Sequence, residues 1–277
     1  SDKIKLIGRG GYFNRISKRS NYDDHYMDYS AGLKTVMNLS ENDNLEISYG
    51  FDQYDKARYV NDERTHDHDY TNRQNTVRAL YSRIFGKNTL TAGADFLNDY
   101  LTTYQFANNG SKTQNSYDAF AQFDYNPLQW LNIVASLRHD YFSASSQHAT
   151  TGRLALMTKW KGFSIRANYA GGFRAPQAFD EDLHVGIVGG ERLVTVLADN
   201  LKEERSNSLS VSADLYRKFG SVQTNLLIEG FYTDLNNVFA LRKLDRPDAQ
   251  GNTVQERYNA YGAKVFGLNL EGKAMFT

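Results

Sequence analysis

Hydrophobic and polar residues alternate along most of this 277-residue chain. Between Asn207 and Arg217, leucine, valine and alanine occupy the odd positions up to Leu215, while serine and aspartate occupy most of the even positions. The same period of two recurs from Leu131, from Phe163 and from Val222. Because successive side chains of a β-strand point to opposite faces, this pattern predicts antiparallel strands with one apolar and one polar face.

About twelve segments follow this pattern, and each has roughly the ten residues that a tilted strand needs to cross a bilayer. The predicted strands span 3–15, 26–39, 44–56, 69–85, 88–104, 113–126, 130–142, 149–160, 162–171, 204–219, 221–236 and 256–277. The three prolines, Pro127, Pro176 and Pro247, fall outside the predicted strand cores, as the hydrogen bonding of a sheet requires.

The predicted connections alternate in length. Short turns are expected at 40–43, 86–87, 126–128, 161–162 and 220–221. Longer polar loops are expected at 16–25, 57–68, 105–112, 143–148, 172–203 and 237–255. An up-and-down barrel in an outer membrane has short periplasmic turns and longer extracellular loops. The alternation therefore favours a transmembrane barrel, while a half-buried soluble sheet, such as a β-sandwich binding module, remains the alternative.

Composition adds four constraints. The chain contains 19 Tyr and 16 Phe, and aromatic residues such as Trp130 and Trp160 lie near predicted strand ends, where membrane interfaces favour them. No run of about 18 apolar residues exists, which excludes a helical membrane protein but not a barrel. The 32 basic and 32 acidic residues balance, so nucleic acid is not an expected partner. Cysteine is absent, so neither a disulfide nor a thiolate metal site is possible.

Two segments resemble the conserved boxes of TonB-dependent outer-membrane receptors. The segment 171–179, with the sequence GGFRAPQAF, resembles the FRAP box that opens a long extracellular loop in that family. The stretch 199–206, DNLKEERS, matches a second box, typically NPDLKPE, that closes the loop, although both prolines are replaced here. The sequence from Phe173 to His184 looks most like that of receptors from the Bacteroidetes.

This resemblance implies an all-β, antiparallel up-and-down transmembrane barrel in the bacterial outer membrane. About 12 of roughly 22 strands are expected here, so residues 1–277 form part of a barrel domain. The family's N-terminal plug domain, its TonB box and the remaining strands are expected outside this sequence. Thr277 lies inside a predicted strand, which agrees with that expectation.

The resemblance also implies active import of a scarce nutrient: an iron-siderophore, haem or cobalamin. The expected partners are the TonB energy-coupling complex, contacted through the plug, the small-molecule nutrient, outer-membrane lipid and a surface lipoprotein of the kind common in Bacteroidetes. No catalytic residue and no intrinsic cofactor are expected, and the sequence contains no nucleophile elbow, P-loop or zincin motif. The alternative is an outer-membrane barrel without energy coupling, with a structural, adhesive or enzymatic role.

Several histidines and acidic residues are candidate ligands for a metal or haem. His184 lies between the two boxes, where haem receptors of this family carry an iron-ligating histidine. His66 and His68, within the run His-Asp-His-Asp at 66–69, alternate in a predicted loop and are candidate metal ligands. Asp23 and Asp24, in another predicted loop, are candidate calcium ligands. For each of these residues the alternative is an ordinary solvated loop side chain.

Arginines and the FRAP residues are the remaining candidates for ligand contact. Phe173 and Arg174 match the family box, and a structural role is the main expectation for both, as it is for Pro176. Arg138, Arg153 and Arg166 lie on the predicted lumen faces of consecutive strands. They are expected either to attract an anionic ligand or, preferentially, to pair with carboxylates of the plug.

Overall fold

The computed structural model describes residues 3–65, 69–103, 111–143, 145–176, 193–247, 249, 251 and 253–276. These residues form sixteen β-strands, and within them there is no helix long and apolar enough to span a membrane. The strands are β1 (Ile4–Lys18), β2 (Asp23–Asn38), β3 (Asp43–Val60), β4 (Glu63–Arg64), β5 (Tyr70–Phe85), β6 (Asn88–Thr102), β7 (Ser111–Leu128), β8 (Leu131–Phe142), β9 (Gln147–Trp160), β10 (Phe163–Arg174), β11 (Leu193–Leu197), β12 (Glu204–Phe219), β13 (Val222–Asn236), β14 (Phe239–Lys243), β15 (Thr253–Asn259) and β16 (Ala263–Phe276).

Thirteen of these strands form one large antiparallel sheet. Its strands pair in the order β1-β2-β3-β5-β6-β7-β8-β9-β10-β12-β13-β16, with β4 attached to β3. Each strand in this order follows its neighbour along the chain, which is the meander that an up-and-down barrel requires. All twelve predicted strands overlap one strand of this order, so the predicted all-β antiparallel architecture is confirmed.

A second, smaller sheet was not predicted. It contains β11, β15 and β14 in that order, and β11 pairs with β15 in parallel. These strands have five to seven residues and lie within or beside the predicted loops 172–203 and 237–255. The last predicted strand, 256–277, merged the end of β15 with β16, although 260–262 separate them. Short strands of this kind give too little alternation for the sequence to reveal them.

Two of the connections predicted to be long are short. The strands β1 and β2 extend to Lys18 and from Asp23, so only residues 19–22 join them. Likewise, only residues 143–146 join β8 to β9. Pro127 also departs from expectation, because it lies within β7, at a register irregularity between Tyr125 and Leu128. A bulge accommodates proline because it leaves a backbone position without a ladder partner.

The short turns define one end of the large sheet. Gly86, Gly162 and Gly220 adopt positive φ angles of 60°, 73° and 60° in two-residue turns, where glycine costs least. The rings of Trp130 and Trp160 stack at this end with centroids 6.0 Å apart, and Trp160 stacks in turn on Phe163. The opposite end, where β10, β12, β13 and β16 meet the connections 175–203 and 237–262, is called the upper end below.

One face of the large sheet is apolar and exposed. Leu33, Leu137 and Leu209 are 52%, 60% and 51% exposed in the middle of their strands. No second layer of the protein covers this apolar face in the described residues. An apolar environment must therefore cover it, and the hydrocarbon core of a bilayer is such an environment. The other face carries the polar residues of the same strands and is called the lumen face.

Candidate functional site

The two boxes meet as direct partners in the large sheet. Arg174, at the end of β10, lies opposite Glu204, the first residue of β12. The Arg174 guanidinium donates to Glu204 Oε2 over 3.4 Å, and this carboxylate is 18% exposed. The arginine of the first box therefore binds an acidic residue of the second box.

Glu204 also holds a third segment of the chain. Its Oε2 accepts a hydrogen bond of 3.0 Å from the backbone N–H of Phe239, the first residue of β14. The Arg174 guanidinium lies over the Phe239 ring, 4.8 Å from its centroid. One carboxylate thus joins the ends of β10 and β12 to the small sheet. Arg174, Glu204 and Phe239 are called the box junction below.

Asparagine side chains tie the backbone of the second box to the small sheet. The backbone N–H of Lys202 donates to Asn259 Oδ1 over 2.7 Å, and Asn259 Nδ2 donates to the carbonyls of Lys202 and Asn237. Asn237 Nδ2 in turn donates to the carbonyl of Glu203 over 3.2 Å. These hydrogen bonds satisfy backbone N–H and C=O groups of Lys202 and Glu203, which belong to no strand and so have no ladder partner.

The FRAP residues pack against neighbouring strands. The Phe173 ring meets the Phe142 ring of β8 edge-on, with centroids 5.4 Å apart. Ala175 is 6% exposed, and Pro176 is also buried. These contacts suit the structural role expected for Phe173 and Pro176, and ligand contact by Phe173 or Arg174 stays a prediction.

We expect the box junction to depend more on Glu204 than on Arg174. Glu204→Ala removes the acceptor of two donors, one of them a backbone N–H, and should lower the free energy of unfolding by about 2 kcal/mol. Arg174→Ala breaks a half-exposed ion pair and should cost about 0.5 kcal/mol. Urea unfolding of the purified receptor measures both, with Glu203→Ala as the matched control. Equal losses for Glu204→Ala and Arg174→Ala would contradict this account.

Five charged residues meet on the lumen face between β5 and β8. Asp95, Asp118 and Asp140 are cross-strand neighbours in one row, and Arg78 continues the row on β5. Arg138 lies two residues before Asp140, on the same face of β8, and contacts all three aspartates, at 3.4, 2.8 and 2.9 Å. Arg78 binds Asp95 in addition, over 2.6 Å. These five residues are called the charge cluster below.

The charge cluster explains why three carboxylates can lie side by side. Like charges directly opposite each other destabilise a sheet unless cations separate them. The aspartate side chains are only 8%, 5% and 3% exposed, so water screens them poorly. Arg138 therefore already has three carboxylate partners within the sheet. Its predicted contact with an anionic ligand or with the plug is not tested by this arrangement.

The other predicted lumen arginines differ in their surroundings. Arg166, on β10, lies 3.7 Å from Asp214 of β12, so its charge also has a partner within the sheet. Arg153 is exposed, and the described residues provide no ion pair for it. Ligand binding by Arg166 stays a prediction.

Asp23 and Asp24 lie in a strand rather than in the predicted loop. They are the first two residues of β2, and Asp24 is 3% exposed. Both oxygens of Asp24 accept hydrogen bonds from Arg58, at 2.8 and 3.1 Å. A carboxylate held by a guanidinium in this way is a poor calcium ligand, because the cation would have to displace the arginine. Calcium at these residues stays a prediction.

The remaining candidate ligands lie outside the described residues. They are His66 and His68, with Asp67 between them, and His184. Their metal-binding and haem-binding roles stay predictions. Among the residues that the structure does describe, there is no group of three or more His, Asp or Glu that could hold a metal ion.

The sequence did not predict the acidic residues of the charge cluster and of the box junction. Asp95 and Asp118 stand in predicted strands, but nothing in the sequence pairs them with Arg138, which is 20 or more positions away. Glu204 was noted only as part of the second box. A register assignment for the hairpins would have aligned Asp118 with Asp140, because a turn length and strand alternation together set the partners.

Comparison with known proteins places the whole chain within one fold. Residues 3–277 match the family described as TonB dependent receptor-like, beta-barrel. The siderophore receptor PirA from Pseudomonas aeruginosa superimposes with a TM-score of 0.77 at 15% identity, covering 98% of this chain and 50% of that one. The hemophore receptor HasR from Serratia marcescens superimposes with a TM-score of 0.70 at 12% identity, covering 98% and 50%.

A third solved structure agrees, the outer membrane transporter YddB from Escherichia coli. It has a TM-score of 0.70 at 13% identity, and the match covers 98% of this chain and 43% of that one. The chain thus spans about half the length of the solved structures that it resembles. No curated protein matches its sequence.

Proposed function

The chain belongs to the TonB-dependent receptor β-barrel family, and from this membership we propose that it forms part of an active importer of a scarce nutrient. The observation that carries the proposal is the family match over residues 3–277. Proteins of this family lie in the outer membrane of Gram-negative bacteria, in agreement with the exposed apolar face of the large sheet.

We propose an iron chelate, either a siderophore complex or haem, as the nutrient, with cobalamin as the further candidate. Two solved structures with a similar fold support this proposal: a siderophore receptor and a hemophore receptor in complex with heme. Identities of 15% and 12% establish the shared fold alone, so the choice among these ligands rests on experiment.

The proposed transport cycle needs no covalent chemistry in this chain. A barrel of roughly 22 strands encloses a wide lumen, which a plug domain must close between transport events. The lumen face described here is polar and charged, as a water-filled or plugged interior requires. The TonB complex would supply the energy that moves the plug, and the barrel would remain a rigid wall around it.

Uptake measurements test the proposal directly. The full-length receptor is expressed in cells that lack other receptors for iron chelates, haem and cobalamin, with and without the energy-coupling protein. We expect accumulation of one of these labelled nutrients to fall at least about tenfold without energy coupling, because the closed plug blocks passive entry. A receptor with the Glu203→Ala substitution, outside the lumen contacts argued above, is the matched control and should transport normally.

Two outcomes would contradict the proposal. Equal accumulation of every candidate nutrient in both strains would show that no energy-coupled import occurs. Accumulation that is independent of the receptor would show that the barrel does not form the route. In either case a barrel without energy coupling would be the better account.

A further inference from the structure

Two histidines form a close pair on the apolar face of the large sheet. His139 lies on β8 and His148 on β9, at diagonal positions, because His139 pairs with Thr150 and Tyr141 with His148. The Nε2 atom of His139 is 3.2 Å from the Nδ1 atom of His148. Both side chains are exposed, so no described part of the chain covers the facing nitrogens.

Neighbouring side chains orient both imidazoles. Nδ1 of His139 is 2.8 Å from Thr150 Oγ1. If this nitrogen donates to the hydroxyl, the lone pair of His139 lies on Nε2, the atom that faces His148. The Tyr141 ring packs against His148 with centroids 4.7 Å apart. Both rings are therefore held by contacts other than the one between them, as in the outer shells of natural metal sites.

The spacing of the two nitrogens suits a shared metal ion. Zinc binds imidazole nitrogen at about 2.05 Å, so two nitrogens 3.2 Å apart would subtend an angle of about 103° at the metal. That angle lies between the octahedral value of about 90° and the tetrahedral value of about 109°. Two antiparallel strands keep this spacing without any loop rearrangement.

The pair also lies at a suitable height in the membrane. Nine residues along the chain separate His139 from Trp130 in the aromatic belt near the short turns. At about 3.3 Å per residue and a strand tilt of about 40°, this distance is about 23 Å along the membrane normal. The apolar band of such barrels is about 25 Å tall, so the pair lies at its upper boundary, within reach of water.

The charged neighbours do not oppose a cation. Arg205 approaches this region, since its NH1 donates to the carbonyl of Thr150 over 3.4 Å. Its guanidinium is bound by Glu203 at 2.8 Å, so its positive charge is compensated. The Tyr141 ring packs on His148 and in turn stacks on the Tyr117 ring, and neither ring opposes a cation.

We propose that His139 and His148 bind one transition-metal ion of the Zn²⁺, Cu²⁺ or Ni²⁺ class on the outer rim of the barrel, with water filling the remaining coordination positions. Imidazole is the ligand type that these ions prefer among the side chains present. Two protein ligands make an open, exchangeable site rather than a structural one. The proposal does not depend on which nutrient the receptor imports.

Calorimetric titration with Zn²⁺ tests the proposal on the full-length receptor, purified in detergent without a polyhistidine tag. The wild type should bind one more Zn²⁺ per protein than the H139Q/H148Q double variant. Thr150→Val should lower the Zn²⁺ affinity of that site about tenfold, because the His139 ring loses the hydroxyl that orients it. His25→Gln is the matched control, since His25 packs on the Tyr59 ring and should leave the titration unchanged.

A second measurement needs no variant. Electron paramagnetic resonance of the wild type with one equivalent of Cu²⁺ should show coupling to two imidazole nitrogens. A titration that is identical for wild type and the double variant would overturn the proposal, and so would a copper spectrum with a single nitrogen ligand. The 3.2 Å contact would then be an ordinary hydrogen bond between two imidazoles.

Discussion

Arg138→Ala should lower the free energy of unfolding of this barrel by about 3 kcal/mol, because it leaves Asp118 and Asp140 in contact without their shared cation. Both carboxylates are almost fully buried and directly opposite each other. Arg138 itself is 38% exposed, which places the expected loss at the lower end of the range for buried pairs. Urea unfolding of the receptor, followed by tryptophan fluorescence, measures the change.

Three comparisons isolate the charge cluster as the cause. Arg138→Lys keeps the charge but cannot contact three carboxylates at once, so it should lose about 1 kcal/mol. Asp118→Asn and Asp140→Asn, added to Arg138→Ala, should restore most of the stability, because no uncompensated charge remains. Arg153→Ala, on the next strand of the lumen face, should have little effect. A loss for Arg153→Ala equal to that for Arg138→Ala would refute the cluster argument.

Val211→Arg should cost about 2–4 kcal/mol of stability in lipid, because it places a charge on the membrane-facing side near the middle of β12. Val211 is 48% exposed and stands between Leu209 and Ala213 on the apolar face. The adjacent substitution, Ser210→Arg, points to the lumen and should cost less than about 1 kcal/mol. The two variants differ only in the face that receives the charge.

Folding into lipid vesicles gives the measurement. The folded fraction at increasing urea is followed by the change in gel mobility between unheated and heated samples. Val211→Arg should unfold at much lower urea than the wild type, whereas Ser210→Arg should follow the wild type closely. The reverse order would show that the lumen and lipid faces are exchanged.

The sequence by itself determined the large sheet. A period of two is a local property, so the run from Asn207 to Arg217 already shows which side chains share a face. The twelve predicted strands each overlap one strand of the sheet, and the boxes at 171–179 and 199–206 indicated the family. Strand ends were less well predicted, since β1 and β2 continue beyond the point where alternation weakens.

Only the tertiary structure decided which residues meet. The small sheet joins β11 to β15, about 60 residues later, through strands too short to be stable alone. The partners of Arg138, Glu204 and His139 likewise depend on the register between strands, and a shift of one residue would move each to the opposite face. Register is settled by turns and by the burial of one face across many strands, which is a collective property of the sheet. Alternation along a single strand carries no information about it, and so the charge cluster, the box junction and the histidine pair could be found only in the folded chain.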